Sequence, residues 1–429
     1  MSWDFSTDPE FEAKLGWMRV FIRDEVMPLE ILAERLDKDA FFAHVATLQS
    51  EVKRTGLWAT HLPPELGGQG MGQVKLGLMH EIEGQCFWGP LVFGNMAPDT
   101  GNSELIARFG SPEQKDRWLR PLLDKKIFSG FSMTEPEHAG SDPVRMSTTA
   151  VLDGDEWVLN GHKWFTTNAL VASVLIVMCV TEPDAPPYER ASMILVPAGT
   201  PGVRIVRNVP TMEGGEPFGC GHSEVYYENV RIPRSNLLGA RGEGFRLAQA
   251  RLGPGRIHHA MRWIGQEQRA LDLMCERALQ REAFGGLLAS KQTIQNFIAD
   301  SVTEMAAARL MTLHAAWVMD EHGQEAARKE ISMIKVFGAR VLHNVIDRAI
   351  QTCGALGYSG DLPLEWMYRR ARAARIYDGV DEVHRQTIAR LTLKDYKAPS
   401  GIWPTDHVPT RAAEVHERFA HLLDAMTNA

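Results

Sequence analysis

The stretch that decides the fold runs from Thr148 to Val180: Thr-Thr-Ala-Val-Leu-Asp-Gly-Asp-Glu-Trp-Val-Leu-Asn-Gly-His-Lys-Trp-Phe-Thr-Thr-Asn-Ala-Leu-Val-Ala-Ser-Val-Leu-Ile-Val-Met-Cys-Val. Short β-prone runs alternate with turn signals. Asp153-Gly154-Asp155 separates Thr148–Val151 from Trp157–Leu159, and Asn160-Gly161 is a second tight turn. Leu170–Val180 is apolar enough for a buried strand. Broken by Ser173, it has about half the roughly 20 residues a membrane span needs. Met193–Pro197, Val203–Val206 and Ser223–Val230 continue the pattern between Pro and Gly punctuation. Residues 129–240 therefore read as a small β domain.

On either side the period changes to that of a helix. Phe11, Leu15, Met18, Ile22 and Val26 recur at helical spacing, with Pro28 as a boundary. In SPEQKDRWLRPLL, Ser111 is an N-cap, Pro112 suits the first turn and Gln114 completes a capping box. Helices of about 25 residues fit 255–280, 291–318 and 324–353, as in a bundle. The expected division is a helical domain (1–128), the β domain (129–240), a helical bundle (241–396) and a Pro-bearing tail (397–429) extended over the surface.

Composition narrows the function. At 44% hydrophobic and 23% charged, the 429 residues are those of a folded chain. The formal charge of −8 argues against nucleic acid or an anionic membrane as partner. The five cysteines form no CxxC, so neither a disulfide framework nor a zinc site is expected. The start, MSWDFSTDPEFEAK, has no basic region before an apolar run. No signal peptide is expected, and the location expected is cytoplasmic.

Six segments carry chemistry. They are Phe131-Ser132-Met133-Thr134-Glu135-Pro136-Glu137-His138-Ala139-Gly140-Ser141-Asp142; Leu159-Asn160-Gly161-His162-Lys163-Trp164-Phe165-Thr166-Thr167-Asn168; Gly221-His222-Ser223-Glu224-Val225-Tyr226-Tyr227-Glu228-Asn229-Val230-Arg231-Ile232-Pro233, ending at Asn236-Leu237-Leu238-Gly239; Arg281-Glu282-Ala283-Phe284-Gly285 with Lys291-Gln292; Gln351-Thr352-Cys353-Gly354-Ala355-Leu356-Gly357-Tyr358; and Ile376-Tyr377-Asp378-Gly379-Val380-Asp381-Glu382-Val383-His384. Gly140-Ser141 permits close backbone approach, Trp164 and Phe165 offer a flat face beside two hydroxyls, and Arg281 can grip a pyrophosphate. Gly379 frees the backbone beside a carboxylate. If helical, Asp378 and Glu382 share a face. Taken singly, each segment is equally a turn, a strand, a cap or a solvated charge. His138, His162, His258 and His259 read as packed or hydrogen-bonding residues.

In this order the segments resemble the acyl-CoA dehydrogenase family, over nearly the whole chain. The phrases MTEP, NGHKW, LGPGRIHHAMR and DGVDEVH resemble the subgroup of family members 10 and 11. The resemblance implies an α+β fold: an N-terminal α-helical domain, a middle β-barrel-like domain and a C-terminal four-helix bundle. It implies FAD, an acyl-CoA substrate, an electron-transfer flavoprotein as acceptor, and a homodimer or homotetramer that completes each FAD site with a neighbouring subunit. It places Phe131, Met133, Thr134, Ser141, Phe165, Thr166 and Thr167 at the flavin. It places Arg281, Phe284, Gln292, Gln351, Gly354, Ala355, Val380 and Glu382 at other FAD contacts. Ser141, Gly253, Arg256 and Gly379 fall at the substrate, with Gly253-Pro254-Gly255-Arg256 as a helix start.

Asp378 falls at the catalytic base, where many members have Glu. The implied reaction is α,β-dehydrogenation to a 2-enoyl-CoA, as in fatty-acid β-oxidation. Burial beside substrate and flavin is expected to raise the base's pKa. Asn95–Asp99 is a candidate acyl-pocket lining. Two other readings stay open: a flavin oxidase of the nitroalkane-oxidase type, and a DNA-associated flavoprotein using Arg369, Arg370, Arg372 and Arg375.

Overall fold

Two aspartates start the chain's first long helices. In this computed structural model, which describes residues 4–215, 218 and 220–422, Asp8 accepts from Phe11 N at 2.9 Å and caps α1 (Pro9–Phe21). Asp37 does the same for α2 (Lys38–Arg54). Phe11, Leu15, Met18, Ile22 and Val26 are all buried, as their spacing requires. Pro28 is followed at once by a helical turn, Leu29–Leu32, so it does not stop the chain's winding. Next come α3 (Gln73–Glu83), α4 (Asp99–Phe109) and the Ser111 capping box, present with both of its hydrogen bonds.

The middle region is one eight-stranded sheet. Its strands are β1 (Phe128–Ser132), β2 (Thr149–Asp153), β3 (Glu156–Thr167), β4 (Ala172–Val180), β5 (Ala191–Pro197), β6 (Val203–Asn208), β7 (His222–Pro233) and β8 (Leu237–Leu238). The order is β6-β7-β3-β1-β4-β5-β8, with β2 beside β3 and β4. The apolar run read from the sequence is β4, whose Val174–Cys179 are completely buried. The run is continuous rather than alternating because both faces are covered.

Beyond residue 241 three long helices share one core: α5 (Gly244–Gln280), α6 (Gln292–His322) and α7 (Arg328–Cys353). A hairpin, β9 (Glu282–Ala283) and β10 (Gly286–Leu287), joins α5 to α6. The fourth helical stretch is broken into α8 (Leu364–Ala371) and α9 (Asp381–Leu393). α3 of the N-terminal region packs against α5 through two glycines. A Cβ on Gly84 would lie 2.2 Å from the Arg262 carbonyl oxygen, and one on Gly265 2.2 Å from that of Glu81.

One expectation is corrected. α5 begins at Gly244, so Gly253-Pro254-Gly255-Arg256 lies inside a helix, with Pro254 as an internal proline. In the tail, Val408–Arg418 forms a helix, α10. Residues 423–429 lie outside the described residues. The chain divides into two compact units, 1–385 and 386–429, and the site lies in the first. No helix among the described residues is long and apolar enough to cross a membrane.

Candidate active site

The break between α8 and α9 is what presents Asp378. The residue sits at φ +54° and is followed by Gly379 at φ +104°. An aspartate in the left-handed region needs support from its surroundings. Arg256 Nε donates to the Asp378 carbonyl oxygen at 2.8 Å, and His384 Nε2 lies 3.2 Å from the same oxygen. Lys335 Nζ donates to Ala374 O at 2.5 Å and to Gly379 O at 3.2 Å. A Cβ at Gly379 would lie 2.7 Å from His384 Nε2. Asp378 is not helical, so it shares no helix face with Glu382. The Glu382 side chain is 77% exposed, and that of Asp378 only 20%.

The charge around Asp378 corrects another expectation. Burial pushes its pKa up, but the field of His259, Arg256, Arg251 and Lys335 outweighs burial and holds the carboxyl below its ordinary value. The group is ionised at neutral pH. Burial also lowers Lys335, to about 8, against the opposing pull of Asp378. None of these four residues stands out in the sequence as a partner of Asp378. Only their convergence in the fold identifies them.

The sheet contributes an aromatic and hydroxyl face. Phe131 on β1 pairs with Thr167 on β3. The β3–β7 ladder is irregular between Lys163 and Thr166. Within that bulge Phe165 takes φ +51° and is 40% exposed. Thr167 Oγ1 lies 2.9 Å from His222 Nδ1. Thr166 is buried and its hydroxyl lies 3.0 Å from Ser132 Oγ, so only its backbone is left for a ligand. Beneath this face, buried Lys163 donates to Met133 O at 2.7 Å and to Glu135 Oε1 at 2.9 Å. Glu135 also accepts from Ser147 N, Ser147 Oγ and Thr148 N. Against the upward push of burial, these partners hold Glu135 at a pKa of about 2. The pair ties the Met133–Thr134 segment to β3. Thr134 lies 3.1 Å from where a Gly140 Cβ would be, and Ser141 is exposed.

Arg251 links the two halves. Its guanidinium lies 4.3 Å over the Phe131 ring, its Nε donates to Asn102 Oδ1 at 3.2 Å, and its charge reaches Asp378. Gly253, by contrast, is buried against Gln324, whose amide lies 2.4 Å from where a Cβ would stand, so it serves packing. Asn95 and Asp99 are buried and committed elsewhere: Asn95 donates to Glu83 at 2.7 Å, and Asp99 accepts from Ser129 and Lys125. Neither lines an open pocket. Val380 is half-buried beside Gly379.

The remaining predicted residues lie on the outside of the chain. Arg281 follows the end of α5, Phe284 stands fully exposed at the hairpin tip at φ +51°, and Gln292 opens α6. Gln351, Gly354 and Ala355 are exposed around the end of α7. No hydrogen bond, ion pair or ring contact among the described residues joins these six to Asp378 or Phe165. An exposed aromatic face with hydroxyls and a half-buried, cation-ringed carboxylate are features that suit a planar redox group and an acylated ligand.

Three family models match in sequence along the chain. These are acyl-CoA dehydrogenase N-terminal domain over residues 8–126, middle domain over 130–230 and C-terminal domain over 242–393. The chain belongs to the acyl-CoA dehydrogenase family. FadE2 of Mycobacterium tuberculosis (strain ATCC 25618 / H37Rv), named a probable acyl-CoA dehydrogenase, is 46% identical over 357 residues, or 82% of this chain and 86% of FadE2. Acyl-CoA dehydrogenase family member 11 of Homo sapiens is 43% identical over 351 residues, 81% of this chain but only 45% of that protein. A Mycobacterium abscessus structure assigned to the acyl-CoA dehydrogenases superposes with a TM-score of 0.86 at 40% identity, covering 91% of this chain and 100% of that one. The α+β architecture of family members, with helical outer regions and a sheet-rich middle, is the one described above.

Proposed function

We propose that this flavoprotein oxidises an acyl-CoA thioester to its 2-enoyl-CoA, with Asp378 taking the α-proton. The observation that carries the reading is the half-buried, ionised Asp378, held by its backbone in a ring of cations. When bound, FAD would supply, at flavin N5, the acceptor for the hydride lost from the substrate's Cβ. The residues fit it: Phe165 offers the flat face, Thr134, Ser141 and Thr167 hydroxyls, and Met133 and Thr166 backbone. Phe131 backs them, stacked under Arg251.

The chain's own part is to prepare the proton transfer. An ionised carboxylate is ready to accept the α-proton without first losing one of its own. As the proton moves, negative charge passes from Asp378 to the thioester. The positive field of Arg251, Arg256 and Lys335 favours negative charge at either end of that transfer. The N–H of Asp378 makes no hydrogen bond to another described residue. At φ +54° it is the candidate donor to the developing oxyanion. Asp is one methylene shorter than Glu, so the strained loop must bring the carboxylate within reach.

The exposed Arg281, Phe284, Gln292, Gln351, Gly354 and Ala355 support a homodimer or homotetramer in which each chain completes its neighbour's FAD site. Val380 and Glu382 flank the base at the cofactor, and Gly379 lets the substrate approach. An electron-transfer flavoprotein is the acceptor in this reading. All five cysteines are unpaired, which fits a reducing cytoplasmic location.

The test is anaerobic mixing of holoenzyme with a panel of acyl-CoAs, following the flavin absorbance. Bleaching by at least one acyl-CoA is expected. Oxygen consumption with nitroethane, with no bleaching by any acyl-CoA, would replace the proposal by an oxidase.

A further inference from the structure

His259 lies on α5, one helical turn after Arg256 and one before Arg262. Its Nδ1 is 3.1 Å from Arg262 Nη2, and its Nε2 is 3.5 Å from Asp378 Oδ2. A guanidinium has donors only. Arg262 therefore donates, Nδ1 accepts, and the proton of the neutral ring is on Nε2, facing the carboxylate. Burial, helped by the Arg262 charge, lowers the imidazole to about 3, so the ring is neutral at neutral pH.

The ring has little freedom to turn. Arg262 is buried and its Nη1 donates to Asn95 O at 3.3 Å. Asn95 is itself held by Glu83 at 2.7 Å. The His259 ring packs on Tyr377 with centroids 4.9 Å apart, and Tyr377 accepts from Trp263 Nε1 at 2.9 Å. Tyr377 immediately precedes the base, so one cluster fixes the orientation of both ring and loop.

We propose that His259 is a positioning residue for the reaction, presenting an Nε2–H to Oδ2 of Asp378 and leaving Oδ1 to take the α-proton. The inference rests on the reading of Asp378 as the base. At 3.5 Å the contact is a charge–dipole one, longer than a strong hydrogen bond, and it shortens when substrate displaces water from the carboxylate. The same tautomer bars His259 from relaying the abstracted proton. Nε2 already carries a hydrogen, and the lone pair of Nδ1 is taken by Arg262.

The test compares H259L and H259Q holoenzymes in anaerobic flavin reduction by an acyl-CoA that bleaches the wild type. Gln keeps an acceptor for Arg262 and a donor for Asp378, whereas Leu keeps neither. H259L is expected to slow flavin reduction on the order of ten-fold, with the acyl-CoA half-saturation and FAD content little changed. H259Q is expected to recover most of that rate. Should H259L not fold, H259M also lacks a donor and gives the same comparison. Wild-type reduction in the donor-less variant, or equal slowing in H259Q, would overturn the proposal. D378N separates the two claims. If D378N is inert while H259L reduces normally, only the role of His259 fails; if D378N reduces normally, the base assignment fails.

Discussion

Arg256 holds the backbone of Asp378, not its carboxylate. Its Nε donates to the Asp378 carbonyl oxygen at 2.8 Å across 122 positions of sequence. A residue expected at the substrate is thus first a clamp on the loop that carries the base. With His384 and Lys335 it offsets the cost of a left-handed aspartate.

Removing the clamp should cost rate before it costs binding. Arg256→Ala is expected to lower the rate of flavin reduction on the order of ten-fold or more, since a hydrogen bond from a charged donor is lost at a strained residue. Stopped-flow reduction measures it. A wild-type rate in R256A would show that the loop holds its shape without the clamp.

Gly379 is the loop's other requirement. Gly379→Ala places a Cβ 2.7 Å from His384 Nε2 at φ +104°. A loss of about 1–3 kcal/mol of stability is expected from the backbone alone, together with slower turnover. Thermal melting checks it, and an unchanged midpoint would contradict the strain.

The Lys163–Glu135 pair gives a pH signature. The Glu135 carboxyl is at about 2 in the fold against an ordinary 4.5. A depressed pKa stabilises the fold above the ordinary value, and this contribution fades as pH falls through the folded one. Glu135→Gln breaks a buried pair and is expected to cost about 3–5 kcal/mol near neutrality. Melting curves at pH 6 and pH 3 should show the gap between wild type and E135Q shrinking on acidification. A gap that widens would reverse the sign of the argument.

Arg281 tests the shared FAD site. Arg281→Ala is expected to lower FAD retention on gel filtration while leaving the fold intact, because the residue is exposed on its own chain. Unchanged flavin content would remove Arg281 from the cofactor contacts.

The elements legible in the sequence are those with local causes. The Ser111 capping box, the apolar β4 run and the buried stripe of α1 are each set by neighbours within a few residues. Pro254 misleads because proline suits a helix's first turn, whereas here packing against Gln324 and α3 carries α5 through it. Asp378 is legible only through its resemblance to a family motif. Its left-handed backbone and its four cationic or polar neighbours are not, because Arg251, Arg256, His259 and Lys335 reach it only through helix packing. For the same reason the expected upward shift of its pKa reverses: burial is a local inference, the surrounding charge a tertiary one.

The measurement closest to the central claim is anaerobic flavin reduction by D378N, reconstituted with FAD and mixed with an acyl-CoA that bleaches the wild type. The amide keeps the shape and removes the base. The account predicts that D378N still binds FAD and acyl-CoA while its flavin stays oxidised, with reduction slowed by about 10²–10⁴-fold or more. Bleaching at the wild-type rate would contradict it and move the proton to another residue.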